Sequence, residues 1–322
     1  MKKLLSLILA TLTALTLTVS ATACTPKDEN VIEIGILQVA THSALDSARE
    51  GFKEVVKAWA KENGKTVEFN EQNANGDPTV ENTIAETMLA KNPDLVLGIA
   101  TSSARALANA TSKVPVLFTA VTAPEQENLL RENVTGTSDL NPVEEQIALI
   151  KEINPNAKKI GFLFNSSENN SVIQCNIAKQ KCVELELELV EFTASLSSEI
   201  STVVDSIGSD IDAVYLPTDN LMAENASAIC SALHAKGIPV IAGESGVCED
   251  GEAVATLGID YFELGKQTGN MAVAILSGEK QISEISFEYY TQAPTFFINE
   301  TNALSAGLTA ELIASLKEKF GA

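Results

Sequence analysis

Basic residues are scarce in this chain of 322 residues. Its 22 Lys and Arg are outnumbered by 43 Asp and Glu, so the formal net charge is −21 at pH 7. Nucleic acids and anionic membrane surfaces are themselves densely negative, and both repel a protein this acidic. A DNA-binding regulator would also need a basic helix-turn-helix near the start, where this sequence has an apolar stretch instead. We therefore expect no nucleic-acid partner.

Residues that carry metal or nucleophilic chemistry are also few. The chain has only two histidines and five cysteines, and the cysteines lack the paired spacing of a zinc site. The stretch 243–247, GESGV, does not match the G-x-S-x-G nucleophile elbow, and no G-x-x-x-x-G-K-[ST] phosphate loop occurs. We expect no metal, no cofactor and no catalytic residue, which favours a binding protein over an enzyme.

Long apolar runs are absent after the first 24 residues. Those residues are typical of an export signal: lysines at 2–3, an uncharged run over 4–20 and small residues at 21–23. Cys24 follows the small residues directly, as in the lipobox of bacterial lipoproteins, so we expect it to be lipidated and residues 25–30 to form a tether. An ordinary secretory signal with a chance cysteine is the alternative. The body would be held by lipid at the outer face of the cytoplasmic membrane.

The other four cysteines form two pairs along the sequence. Cys175 and Cys182 lie seven residues apart on a predicted helix, about 10 Å along its axis, which is too far for a disulfide. We expect them to be buried thiols. Cys230 and Cys248 can be brought together by a helix, a strand and a loop, and an oxidising exterior permits a bond there. Both states of that pair remain open.

The stretch Ile32 to Trp59 sets the pattern for the whole chain. An apolar strand, IEIGILQVA, is followed by a polar turn at 41–43 and by a helix with apolar residues at 3- and 4-residue spacing. A buried strand followed by a covering helix is half of a βαβ unit. Its loop lies at the carboxyl end of the strand, where open α/β sheets bind ligands.

The same alternation repeats to about residue 138 and then starts again, which predicts two doubly wound parallel-sheet α/β lobes. We assign 31–138 and 256–280 to the N-terminal lobe, and 139–255 and 281–322 to the C-terminal lobe. Two pieces at the end of the chain, one returning to each lobe, imply a hinge of three crossovers. We expect these crossovers near 137–141, 255–258 and 279–286.

Many segments in one order resemble a known family. They are GILQ, HSALDSAREGF, GDPTVENTIA, DLVLGIATSSA, PVLFTAVTAP, GTSDLNPVEEQ, KKIGFLFNSSENNS, YLPTDN, DYFELGKQTGNMA and FFINETNA. The chain resembles the type I periplasmic-binding-protein fold, specifically the ABC-transporter substrate-binding lipoproteins of tryptophan/tyrosine-type uptake. That resemblance implies a monomer that traps a small solute, above all an aromatic amino acid, and delivers it to an ABC permease and its ATPase.

The resemblance also implies which residues line the cleft. It points to polar side chains after the strands of both lobes: Gln38, Thr101, Ser102, Asn165, Ser166, Ser167, Glu168, Asp219 and Asn220. His42 and Thr122 lie in loops at the same edge, and His42 is as well suited to loop packing as to ligand contact. Thr41 stands where these relatives often have an acidic residue.

An amino acid needs donors for its carboxylate and acceptors for its ammonium, because either ion is costly to desolvate alone. Ser102 at a helix start offers a hydroxyl and free N–H groups for the carboxylate, and Ser167 offers the same from the other lobe. Asp219 or Glu244 would receive the ammonium. For each of these residues, helix N-capping alone is the competing interpretation.

An aromatic side chain would add apolar burial. Enclosing ~200 Å² at ~25 cal/mol/Å² contributes about 5 kcal/mol, enough with one good ion pair for micromolar binding. The candidate walls are Phe118, Phe164, Tyr215 and Tyr261, although each also suits the core.

Two alternatives to an aromatic-amino-acid importer remain open at this point. One is a surface sensor that binds a ligand and passes the signal to a receptor. The other is an importer component for a branched aliphatic amino acid or a solute that is not an amino acid.

Overall fold

The computed structural model describes Asp28, residues 30–249 and residues 253–321. The predicted export signal, the predicted lipidation site Cys24 and most of the predicted tether lie outside these residues. Among the helices of the described part, none combines the length and the apolar character that a membrane span requires.

The first sheet has six strands in the order β11-β5-β4-β3-β1-β2. Its inner strands β3, β4 and β5 run parallel to one another, and β1 and β11 run parallel to their neighbours β3 and β5. The strands are β1 (Val31–Gln38), β2 (Thr66–Asn73), β3 (Leu95–Ile99), β4 (Val116–Thr119), β5 (Val134–Ser138) and β11 (Glu288–Tyr289).

The second sheet repeats this plan with the order β12-β10-β9-β8-β6-β7. Its pairings are parallel except at one edge, where β12 runs antiparallel to β10. The strands are β6 (Lys159–Phe164), β7 (Glu188–Thr193), β8 (Ala213–Leu216), β9 (Val240–Ala242), β10 (Ala255–Gly258) and β12 (Thr295–Ile298).

Helices alternate with the strands along the chain. They are α1 (Ser43–Glu62), α2 (Pro78–Leu89), α3 (Thr101–Ala110), α4 (Val143–Ile153), α5 (Asn169–Glu184), α6 (Ser197–Ser206), α7 (Asn220–Glu224), α8 (Ala226–Ala235), α9 (Ser245–Glu249), α10 (Tyr261–Leu276), α11 (Glu300–Ser305) and α12 (Ala310–Phe320). Two short 3₁₀ turns lie at Pro124–Gln126 and Ile282–Glu284.

Apolar clusters cover both faces of each sheet. Leu95 and Leu97 of β3 pack with α1 and α10 on one face, whereas Val96 packs with α2 and α3 on the other. Every residue of β3 is buried, which explains why it reads as a continuous apolar run rather than as an alternating one. The second sheet is covered in the same way. The predicted fold of two doubly wound lobes is confirmed.

The end of the chain corrects the predicted lobe boundaries. We placed residues from 256 onward in the N-terminal lobe, but β10 pairs with β9 and β12 and so completes the second sheet. We ended the second segment of the N-terminal lobe at residue 280, but β11 pairs with β5 of the first sheet. The end of α10 was mistaken for the end of the lobe, although the chain still adds an edge strand to that sheet.

The three crossovers therefore follow β5, β10 and β11. The first two lie close to the predicted positions. The third lies between Tyr289 and Thr295 rather than within 279–286, which stays with the first lobe.

Strand β5 lies partly where a crossover between the lobes was expected, near 137–141. The run Gly136 to Asp139 has the composition of a turn, but most of it lies in β5, which is buried throughout. The hydroxyls of Thr137 and Ser138 have partners inside the protein: Thr137 Oγ1 lies 3.1 Å from Thr119 Oγ1 and 2.6 Å from Thr268 Oγ1, and Ser138 Oγ donates to the carbonyl of Thr122 at 2.9 Å. Hydroxyls that find partners inside the fold can be buried at little cost, so composition alone misled the prediction.

None of the four cysteines of the described part forms a disulfide, and all four are buried. Cys175 and Cys182 are thiols, as predicted, and burial raises the pKa of each to about 11. Cys230 and Cys248 are not bonded to each other in this structure.

Candidate functional site

The carboxyl ends of the two parallel sheets face each other across a cleft. Loops that follow β1, β2, β6 and β7, together with residues from the four helices α2, α3, α5 and α7, enclose a cavity of about 340 Å³. The first lobe contributes Val39, Ala40, Gly76, Pro78, Glu81, Thr101, Ser102 and Arg105; the second contributes Asn165, Ser167, Glu168, Asn169, Asn170, Ser195, Leu196, Asn220, Leu221 and Glu224. Its volume lies at the small end of the range for ligand pockets.

The N-terminus of α3 opens onto this cavity. The first turn of α3 can pack this closely against β3 because residue 98 is glycine. A Cβ at Gly98 would lie 2.5 Å from Cα of Ala104 in that turn. No side chain caps α3, and its first N–H groups have no partner within the helix. Thr101 and Ser102 therefore present backbone donors at the positive end of the helix, where an anion is stabilised.

Two alanines on neighbouring strand ends adopt a left-handed backbone. Ala100 has a φ of 75° and Ala120 a φ of 56°, values that L-residues other than Asn and Asp rarely adopt. Both residues line a small gap that adjoins the cavity. Backbone strain of this kind persists only where the surrounding fold enforces it, and it is concentrated at functional sites.

Glu81 on α2 forms part of the cavity wall and was missed by the sequence analysis. The residue is only 3% exposed, and its Oε1 accepts hydrogen bonds of 2.8 Å from the hydroxyls of both Ser102 and Ser103. Burial raises the pKa of Glu81. Helical spacing of apolar residues marks the apolar face of α2 but gives no sign that this glutamate turns inward.

In the second lobe, the carboxylate of Glu168 connects several residues of the cavity wall through hydrogen bonds. Its carboxylate accepts bonds from Asn220 Nδ2 at 2.6 Å, from the N–H groups of Asn220 and Leu221, and from the side chains of Asn165 and Asn170. This carboxylate therefore fixes the start of α7 against the loop after β6.

The small gap beside the cavity is lined by three buried carboxyl groups. Asp139, Asp219 and Glu244 are each at most 2% exposed. Asp219 accepts bonds from the N–H of Asn165 at 2.7 Å, from Ser171 Oγ at 2.7 Å and from the N–H of Met222 at 2.9 Å. Asp219 thus caps the N-terminus of α7 and also connects it to the loop after β6 and to α5.

Burial raises the pKa of two of these groups, Asp139 and Asp219. It raises the pKa of Asp219 to about 8, with the negative charge of Glu168 adding to the rise. It also raises the pKa of Asp139 to about 6, although hydrogen bonds from Tyr261 and Thr122 act in the opposite direction. Among the described residues, no cluster of His, Cys, Asp and Glu is arranged to hold a metal ion.

The two lobes touch on both sides of the cavity. On one side, Nε2 of His42 lies 3.4 Å from Oδ1 of Asn220, and its Nδ1 lies 3.5 Å from Oε1 of Glu244. On the other side, Asn169 Nδ2 donates to the carboxylate of Glu127, which also pairs with Arg105 at 3.4 Å. These contacts bridge the cleft from the first lobe to the second.

The structure sorts the predicted site residues into three groups. Those lining the cavity are Thr101, Ser102, Asn165, Ser167, Glu168 and Asn220. Those lining the adjoining gap include His42, Thr122, Asp219 and Glu244. Gln38 and Ser166 line neither. Ser166 faces solvent, and the amide of Gln38 is held within its own lobe by Asp46 and Arg49 at 2.9 Å each.

The four candidate aromatic walls are core residues, which is the alternative that the sequence analysis gave for each of them. Phe118, Phe164, Tyr215 and Tyr261 are at most 3% exposed, and none of them lines the cavity or the gap. The tyrosine hydroxyls have internal acceptors, since Tyr215 donates to Gln146 at 2.6 Å and Tyr261 donates to Asp139 at 3.0 Å. The apolar part of the cavity is aliphatic instead: Val39, Ala40, Pro78, Leu196 and Leu221.

Two doubly wound lobes that meet around a small polar cavity define a bilobal solute-binding protein. Comparison with known proteins agrees. The family profile described as ABC transporter substrate binding protein matches residues 33–316. A curated relative, the tyrosine-binding protein of Clostridioides difficile strain R20291, is 36% identical over 258 residues, covering 78% of this chain and 74% of the relative. The chain therefore belongs to the family of ABC transporter substrate-binding proteins, whose partners are a small solute and a permease.

Solved structures add information on how the lobes are arranged. An ABC domain from Streptococcus pneumonia in complex with L-Trp is 32% identical, with a TM-score of 0.81 and coverage of 88% of this chain and 97% of that chain. A ligand-free, open substrate-binding protein from Clostridium difficile is 34% identical, with a TM-score of 0.66 and coverage of 86% and 95%. At similar identity, this chain superposes better on the ligand-bound structure, in agreement with the contacts across the cleft.

Replacing Asp139 by Asn should change how stability depends on pH. Between the unfolded pKa of 3.8 and the folded value of about 6, the folded protein holds the proton more tightly, so stability falls as pH rises through that window. Asparagine does not titrate in this range. Between about pH 4 and pH 7 the free energy of unfolding of Asp139→Asn should therefore rise relative to that of the natural protein, by up to ~3 kcal/mol. Urea unfolding of both proteins at each pH measures this difference in the free energy of unfolding. A difference that does not change with pH would contradict the raised pKa of Asp139.

Proposed function

We propose that the cavity binds an aromatic amino acid without changing it chemically, and that tyrosine and tryptophan are the leading candidates. The observation that carries this proposal is the pairing, within one turn of α3, of helix N-terminal donors with a buried carboxylate. An α-amino acid has an anion and a cation on one carbon, and it needs such a pair. The tyrosine-binding relative and the L-Trp complex support the aromatic choice.

The carboxylate of the solute is proposed to lie at the N–H groups of Thr101 and Ser102, where the dipole of α3 favours negative charge. Its side chain would extend toward the aliphatic walls formed by Pro78, Leu196 and Leu221. Aliphatic walls enclose a flat ring as well as aromatic ones do, because apolar burial has no direction. Asn169 and Asn170, at the start of α5, offer polar contacts from the second lobe.

We propose that the lobes close on the solute by rotation about the three crossovers. The contacts of His42 with Asn220 and Glu244, and of Glu127 with Asn169, join the lobes across the cleft, and a rotation that opens the cleft would break them. Solute bound between the lobes would stabilise that arrangement, and the permease would recognise it.

We also propose that the protein is exported and lipid-anchored through Cys24 at the outer face of the cytoplasmic membrane, where it acts as a monomer. The support is the sequence of the first 24 residues together with the transporter family of the body.

Titration calorimetry should show that the purified protein binds L-tyrosine or L-tryptophan with micromolar or lower Kd. Leu221→Trp would place an indole in the cavity and should weaken binding by more than about tenfold, since each 1.4 kcal/mol is a factor of ten. The matched control is Leu304→Trp, at a site that is 53% exposed and remote from the cavity lining. Absence of binding by both amino acids would refute the ligand proposal.

Small-angle scattering tests the closure. Saturating L-tryptophan or L-tyrosine should reduce the radius of gyration of the free protein in solution, because the open population is removed. A radius that is unchanged by a ligand of proven affinity would count against hinge closure.

Cell fractionation tests the anchor. Cys24→Ser should move the protein from the membrane fraction to the soluble extracytoplasmic or culture fraction, because a serine hydroxyl cannot accept the thioether-linked lipid. Thr25→Ser serves as the neighbouring control and should stay with the membrane. Equal membrane retention of both variants would argue against lipidation.

A further inference from the structure

Glu81 is a buried carboxylate to which the sequence analysis gave no role. It lies in the segment GDPTVENTIA, and its residue is 3% exposed in the wall of the cavity. A carboxylate taken out of water without partners is strongly disfavoured. The way in which its two oxygens are used therefore indicates what the residue does.

The two oxygens of Glu81 are used unequally. The hydroxyls of Ser102 and Ser103 both donate to Oε1, each at 2.8 Å. Within residues 30–249 and 253–321, no donor is bonded to Oε2. The two serines thus fix the carboxylate at the start of α3 and leave one oxygen able to accept a hydrogen bond. Arg105 and the two serines favour its charged form, against the effect of burial.

The other carboxylates near the cavity are engaged differently. Glu168 accepts bonds on both oxygens from the start of α7 and from three asparagine side chains. Asp219 lines the adjoining gap rather than the cavity and accepts three bonds from its own lobe. Glu224 is exposed and accepts from the backbone of Thr41. A cation inside the cavity would thus meet Glu81 as a buried carboxylate with a free oxygen.

We infer that Glu81 binds the α-ammonium group of the solute and selects α-amino acids against analogues that lack the amino group. The inference rests on the proposed function of the cavity. The ammonium and the carboxylate of an amino acid are attached to one carbon, so their partners must lie side by side. Ser102 supplies that adjacency, because its hydroxyl holds Glu81 while its backbone N–H belongs to the first turn of α3.

This role replaces the one that the sequence suggested for Asp219. The side chain of Asp219 accepts hydrogen bonds from the loop after β6, from α5 and from α7, so its role is structural. Recognition of both charged groups of the solute is then concentrated in the first lobe, on α2 and α3. The second lobe completes the enclosure when the cleft closes.

The natural protein provides the first test. Titration calorimetry should compare L-tryptophan with indole-3-propionate, and L-tyrosine with 3-(4-hydroxyphenyl)propionate, each pair differing only in the amino group. We expect the amino acid to bind at least about 30-fold more tightly, since losing one partner of a buried charge pair has an effect of that order or larger. Equal affinity within a pair would overturn the inference without any variant. Failure of both amino acids to bind would refute the proposed function itself.

Variants then locate the selectivity. Glu81→Gln should lose at least about 30-fold in affinity for the amino acid and show nearly equal affinity for the analogue. Glu81→Asp keeps the charge and should keep a preference for the amino acid. Glu86→Gln, at an exposed position of the same helix, is the matched control and should behave like the natural protein. Undiminished selectivity in Glu81→Gln would show that another residue binds the ammonium.

Discussion

The charges of a zwitterion can leave water only where the protein supplies opposite charges or dipoles in their place. In this protein the two kinds of partner arise from one junction, the end of β3 and the start of α3. The helix supplies backbone donors at its uncapped N-terminus, and its first serines hold the carboxylate of Glu81 beside them. The positions of the loops, the strained alanines and the second lobe can all be understood as supports for this junction.

Rigidity is the second feature of the site. Glu168 and Asp219 connect strand ends and helix starts in the second lobe through bonds of 2.6–3.4 Å, so that wall is held together by partners within its own lobe. A preorganised wall loses less entropy on binding. The contacts of His42 and Glu127 across the cleft are few and polar, which suits an interface that must separate and re-form.

The sequence predicted the architecture well because buried parallel strands have a distinct pattern. The run Leu95 to Ile99, LVLGI, is apolar throughout and forms β3, and Thr101 and Ser102 after it line the cavity. The prediction of strands failed where a segment with the composition of a turn forms a strand. The run Gly136 to Ser138 has the composition of a turn but lies in a buried strand, where Thr119 and Thr268 of other elements supply hydroxyl partners for Thr137.

The direction of individual side chains was the weakest part of the prediction. Gln38 was expected in the cleft but turns toward Arg49, and Tyr215 was offered as a wall but packs in the core. Glu81 was overlooked because nothing in a helical pattern shows which polar residue faces a cavity. These orientations depend on tertiary contacts between distant segments, such as the bonds from Ser102 and Ser103, twenty-one and twenty-two residues further along.

A crystal structure of the protein grown with L-tryptophan or L-tyrosine tests the central claim most directly. The account predicts one solute molecule inside the cavity, its carboxylate at the N–H groups of Thr101 and Ser102 and its ammonium within hydrogen-bonding distance of Glu81. A solute that lies elsewhere, or whose amino group faces Asp219 or Glu244 with Glu81 uninvolved, would contradict it.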